Sequence, residues 1–152
     1  MQARADDPAK LGEWRLEPGL SRLAGPAPAE DLRIYEAAEG GMVRSTHRIR
    51  QADGSTSLTV YVARDDGRDY PMFDGAGRQT GTIALRPSGK RSQDFVTRRE
   101  GKVTGRGRTR ISADGRRMTM VIRLDPEGPG QRVLRTIFPA HGPIAVPPSP
   151  PR

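Results

Sequence analysis

The chain has 152 residues, a net charge of +8 and a sequence pI near 10.9, with 34% hydrophobic and 5% aromatic residues. It has no cysteine, which excludes disulfides and thiolate chemistry, and no run approaches the ~20 apolar residues of a membrane-spanning helix. The length supports one core, but with so few large apolar side chains that core is either thin or wrapped around something. Nearly all the positive charge is arginine, and glycine, alanine and proline are abundant, as a GC-rich genome produces. The charge therefore reads as a soluble surface rather than as a nucleic-acid site.

Residues 1–9 are polar and expected to fray, and MQARADDPAK lacks the apolar centre of a secretory signal. A first strand, Leu11 to Glu17, puts Trp14 and Leu16 on one face by the period-two rule. Pro18 to Pro28 holds LSRLA between Pro-Gly and Gly-Pro pairs, enough for one helical turn and a loop. Strands recur at Asp31–Ala37, Met42–Gln51 and Thr56–Arg64, separated by Glu39-Gly40-Gly41 and Asp53-Gly54-Ser55. After Asp65-Asp66-Gly67-Arg68 the stretch DYPMFDGAGR reads as irregular, and Gln79–Arg86 resumes extended structure before Pro87-Ser88-Gly89.

Ser92 to Leu124 is the clearest pattern in the chain. Its three extended runs are separated by Arg99-Glu100-Gly101-Lys102 and Ala113-Asp114-Gly115-Arg116, both strong hairpin signals, so a β-meander follows. A Pro/Gly loop at Asp125–Gly130 leads to a last strand, Gln131–Pro139. From His141 onward GPIAVPPSPPR predicts an extended or disordered tail. About nine short strands with turn signals every ten or so residues predict an all-β barrel or sandwich.

Alternation predicts which side chains face inward. Val43, Ser45, His47 and Ile49 oppose Met42, Arg44, Thr46, Arg48 and Arg50, and three arginines cannot share a dry core. In the same way Val103, Gly105, Gly107, Thr109 and Ile111 face in while Arg106, Arg108 and Arg110 face out; the two glycines leave inner space or mark a bend that a closing barrel requires. Met118, Met120, Ile122 and Leu124 form an apolar face, either core or an adaptable ligand wall. For Thr56–Arg64 two parities stay open: Tyr61, Ala63 and Asp65 inward, or Leu58, Val60 and Val62 inward, the latter set otherwise being a candidate dimer face.

Gly12-Glu13-Trp14 at the start of the first strand, followed by a short helical turn and successive antiparallel strands, resembles the lipocalin-like (calycin) barrels. A closer resemblance, over Leu11 to about Phe138, is to small, mostly uncharacterised bacterial lipocalin-like proteins. It is carried by Gly12-Glu13-Trp14-Arg15-Leu16, Tyr35-Glu36, Ala63 to Pro71, Glu100-Gly101-Lys102-Val103 and Ser112 to Thr119. The resemblance implies a single antiparallel up-and-down barrel of about 8–10 strands with one short helical turn after the first. It further implies that Trp14 lies across the barrel floor, with Arg135 on the last strand covering the indole by cation–π contact. Two departures, Asp65 where an aromatic is usual and Phe138-Pro139-Ala140-His141 at the end of the last strand, point to a specialised member.

These readings give a flexible N-terminus over 1–9, a barrel over 10–140 and a Pro-rich tail over 141–152. The expected function is binding of a small hydrophobic or amphipathic molecule in the barrel, with Trp14, Tyr35, Ser45, His47, Tyr61, Met118, Met120, Ile122 and Arg135 as contacts. The alternative is a cofactor-free isomerase, cyclase or eliminase in which His47 moves a proton, Tyr61 or an arginine stabilises negative charge and Asp65 orients the imidazole. A second alternative, nucleic-acid binding through Arg98, Arg99, Arg106, Arg108 and Arg110, lacks interleaved aromatics other than Phe95. No cofactor or metal is expected: His47 and His141 have no metal-ligand spacing, a single-histidine haem would fall to His141, and Asp65, Asp66, Asp69 and Asp74 lack a calcium-loop order. The protein is expected to be soluble, cytoplasmic unless an exported form has lost a signal, and a monomer or homodimer.

Overall fold

Extended runs of alternating polarity become ten strands: β1 (Gly12–Leu16), β2 (Glu30–Ala37), β3 (Val43–Arg50), β4 (Thr56–Ala63), β5 (Asp69–Asp74), β6 (Gln79–Gly89), β7 (Ser92–Arg99), β8 (Lys102–Ile111), β9 (Met118–Leu124) and β10 (Gln131–Pro139). The structure, a computed structural model, describes residues 10–23, 25–124 and 131–139, with residues 131–136 and 139 described by backbone only. The expected frayed N-terminus and Pro-rich tail lie outside the described residues. Each strand pairs antiparallel with its neighbours in sequence, and β1 pairs with both β2 and β10, which closes an up-and-down barrel. Closure leaves no edge strand. Among the described residues no helix is long and apolar enough to cross a membrane.

Three local expectations are corrected. The helical turn after β1 is a single 3-10 turn at Pro18–Leu20, capped by the Glu17 carboxylate on the Gly19 N–H, and it takes in only Leu20 of LSRLA. DYPMFD is a strand, β5. Its ladder to β4 stops at Tyr61↔Met72, so Pro71 stands where one flank of the strand has no partner, the position at which a proline without an N–H is tolerated. Finally, β6 runs on to Gly89, and the Pro87-Ser88-Gly89 break is absorbed as a register irregularity within the hairpin.

The meander forms as its turns demand. Glu100 and Gly101 both have positive φ, 53° and 79°, the pair that a tight hairpin with the right twist requires. The inner space offered by the glycines of β8 is filled: a Cβ on Gly107 would lie 2.5 Å from Phe95 Cζ, and one on Gly105 3.1 Å from Thr97 Oγ1. The ring of Phe95 is thus laid across bare backbone, and a β-bulge between Thr97 and Arg98 bends the same hairpin.

The main core gathers Trp14, Leu16, Tyr35, Val43, Ile111, Met118, Met120 and Ile137, and a smaller cluster holds Ala63, Ile83 and Leu85. Strand connections alternate between the two ends of the barrel. At the end carrying the 38–42, 64–68, 90–91 and 112–117 turns, the inward residues Val43, Ala63, Leu85, Gln93, Ile111 and Met118 are all buried. At the opposite end Ile49, Thr59, Thr97 and Ile122 keep part of their surface in solvent, while Leu16 and Asp31 are covered beneath the β1–β2 connection. Burial of the inward side chains is thus complete at one end of the barrel and partial at the other.

Candidate functional site

The register of β2, β3 and β4 fixes the inward face of that wall. Tyr35, Ser45 and Tyr61 lie in one cross-strand row, and Arg33, His47 and Thr59 in the next. Tyr35 and Ser45 are buried and Tyr61 packs onto the Ala63–Ile83–Leu85 cluster. The open parity of β4 is therefore settled: Tyr61 and Ala63 face in, and Leu58, Val60 and Val62 face out.

β2 and β4 are polar on the inside and apolar on the outside. Asp31, Arg33 and Tyr35 share the inward face of β2, while Leu32 and Ile34 take the outward parity, where Leu32 is still buried and Ile34 half-buried. A strand governed by burial alone would be turned over. The opposite wall is conventional: Phe95 from β7 and Met118, Met120 and Ile122 from β9 pack into or against the main core. The lumen has a polar wall and an apolar one.

His47 lies on the polar wall toward the open end. Its Nε2 is 2.7 Å from Asp31 Oδ1, with side-chain exposures of 16% and 2%. A carboxylate accepting from Nε2–H fixes the imidazole plane and holds the proton on that nitrogen, which sets the tautomer. Asp65, expected to orient the imidazole, does not take this role. β4 ends at Ala63, opposite Val43, so Asp65 sits in the next turn at the closed end, whereas His47 is in register with Thr59.

At the closed end Lys10 enters the barrel. Its ammonium donates to Gln93 Oε1 at 2.8 Å and stands 4.5 Å from the centre of the Tyr35 ring, within cation–π range. The Trp14 indole Nε1–H donates to the Lys10 carbonyl at 2.8 Å, so the tryptophan holds the chain that brings the lysine in. Trp14 is 2% exposed. The Arg135 side chain, expected over this indole, lies outside the described residues, as does His141; the Arg135 backbone is in register with Met120.

Met118 is fully buried and belongs to the sealed core, which leaves Met120 and Ile122 as the part of that set nearer the open end. Burial raises the Tyr61 phenol above its ordinary value of 10.0, against the charge of Lys10 and a hydrogen bond with Ser45 that act the other way. A raised native value means that the folded state keeps a proton the unfolded chain has lost. The stability this contributes is complete below pH 10 and disappears as pH rises through the native value. Urea unfolding at pH steps above 10, with phenolate absorbance followed alongside, is expected to show stability falling more steeply in the wild type than in Tyr61→Phe.

The remaining predicted groups have structural occupations. Asp66 accepts from the Tyr70 hydroxyl at 2.8 Å, Asp69 pairs with Arg98 at 2.8 Å, and Asp74 caps its own turn through the Ala76 and Arg78 N–H groups. Among the described residues no group of three or more His, Cys, Asp or Glu side chains comes together as a metal site. Arg106, Arg108 and Arg110 are exposed on the outer wall, beside a groove of about 830 Å³ that also includes Val121 and Arg123. Arg108 is committed to Asp94 at 2.6 Å, and the Phe95 ring is packed against the barrel core.

Sequence reasoning missed Lys10, Asp31, Arg33 and Gln93. Lys10 borders a polar segment expected to fray; Asp31 and Arg33 lie on the face that hydrophobic alternation assigns to solvent. Their signal was in the register: once His47 is inward, its antiparallel neighbours on β2 are inward too. No protein-family model matches the chain, and no curated protein aligns with it significantly.

Proposed function

We propose that the chain is a soluble lipocalin-like binding protein that takes a small, largely apolar molecule with one or two polar groups into the open end of its barrel. The observation that carries this reading is the inverted polarity of β2 and β4. Strands that turn Asp31, Arg33, Tyr35, Thr59 and Tyr61 inward while the half-buried Ile34, Leu58, Val60 and Val62 take the outward parity place polar groups where simple alternation would put apolar ones, and such departures are expected where a site needs polar groups. Facing them, Phe95, Met120 and Ile122 supply the apolar wall that such pockets use for most of their contact area.

A second reading rests on the Asp31–His47 hydrogen bond: an oriented imidazole in a lumen is the group a cofactor-free proton transfer needs. Titration with the neutral fluorophore N-phenyl-1-naphthylamine tests the binding reading. The expected result is saturable one-to-one binding, with energy transfer from Trp14, the single tryptophan. Non-saturable uptake, or binding without any change in Trp14 emission, would overturn it. Native mass spectrometry of freshly purified protein should then show a retained small molecule.

A further inference from the structure

We infer that Arg33 is the anion-recognition residue of the barrel and that the ligand carries a single carboxylate on an apolar body. This rests on the binding reading above and names the chemical class that the same site takes. Arg33 projects from the inward face of β2, in register between Trp14 on β1 and His47 on β3. Its Nε is shut off from solvent and has no hydrogen-bond partner, and among the described residues the guanidinium makes no ion pair. Buried donors are almost always satisfied, so a cationic one left open in a lumen calls for a partner.

The neighbouring groups define that partner. Asp31, two residues away on the same face, accepts from His47 at 2.7 Å. Lys10, which is buried, is engaged with Gln93 and Tyr35 at the closed end. Tyr61 lies close enough for the Arg33 charge to act on its phenol, and burial keeps that phenol neutral and able to donate a hydrogen bond. A planar guanidinium matches the two oxygens of a carboxylate, and its single positive charge matches one negative charge. A dianionic phosphate would bring a second negative charge beside Asp31. The apolar remainder of the ligand would lie along Phe95, Met120 and Ile122.

The test is binding of four probes with one tail, decanoate, decanol, decylammonium and decyl phosphate, to the full chain and to Arg33→Met and Arg33→Lys, read by Trp14 fluorescence and calorimetry. Decanoate is expected to bind the wild type at least about tenfold more tightly than decanol or decylammonium, as one charge-assisted pair supplies. Arg33→Met is expected to remove that preference while leaving decanol affinity within about twofold of wild type, which also verifies that the variant is folded. Arg33→Lys should keep part of the preference. Equal binding of decanoate and decanol to the wild type, or an undiminished preference in Arg33→Met, would overturn the assignment while leaving the binding reading standing. Tighter binding of decyl phosphate than of decanoate would overturn the carboxylate in particular, and failure of all four probes to bind would remove the binding reading itself.

Discussion

Trp14→Ala is expected to lower the unfolding free energy by about 3–5 kcal/mol, the range for emptying a core site of a large aromatic. The indole is 2% exposed and packs with Leu16, Met118, Met120 and Ile137, residues of three strands that meet where the sheet joins itself. Trp14 is in register with Arg33 on one side and Pro139 on the other, so the cavity would open at the seam of the barrel. A second loss follows from the Nε1–H bond to the Lys10 carbonyl. Without it the segment carrying Lys10 loses an anchor, and the ammonium held between Gln93 and Tyr35 is released with it. Trp14→Phe separates the two effects: it keeps most of the volume and deletes the donor, for an expected loss of about 1 kcal/mol beyond repacking. Urea unfolding followed by far-ultraviolet circular dichroism measures both variants. A loss under about 1 kcal/mol for the alanine variant would mean that the indole does not help to close the barrel.

The barrel was legible in the sequence because hairpin chemistry and period two are local. Glu100-Gly101 and Asp114-Gly115 announce turns wherever the surrounding strands lie, and the arginines of β3 and β8 fix which parity is outward. What could not be read was pairing across the sheet. Asp31 and His47 are 16 residues apart, and their contact exists only because Asp31 and Ile49 are in register at the open end. Hydrophobic alternation alone points β2 and β4 the wrong way round, since Leu32, Ile34, Leu58, Val60 and Val62 are the apolar sets of those strands. Strand β5 escaped notice for a different reason: Pro71 argues against a strand unless one knows that the ladder on one side has already ended.

His47→Ala is expected to cost on the order of 3 kcal/mol in stability, because it removes a hydrogen-bond partner of the Asp31 carboxylate, which is 2% exposed at its side chain. His47→Gln, which keeps a donor near the same place, should lose about 1 kcal/mol. A double-mutant cycle with Asp31→Asn apportions the interaction: coupling above about 1 kcal/mol is expected for groups in direct hydrogen-bonded contact, and additive losses would show that the pair contributes no more than its separate packing. The consequence reaches the function. Since the alanine variant is predicted to weaken the wall that also carries Arg33, lost ligand binding in His47→Ala does not by itself make the imidazole a ligand contact or a catalyst. The informative comparison is His47→Gln at a urea concentration well below its midpoint. There a pure orienting role for the Asp31–His47 pair leaves decanoate affinity within about threefold of wild type, whereas direct contact between imidazole and ligand costs about tenfold.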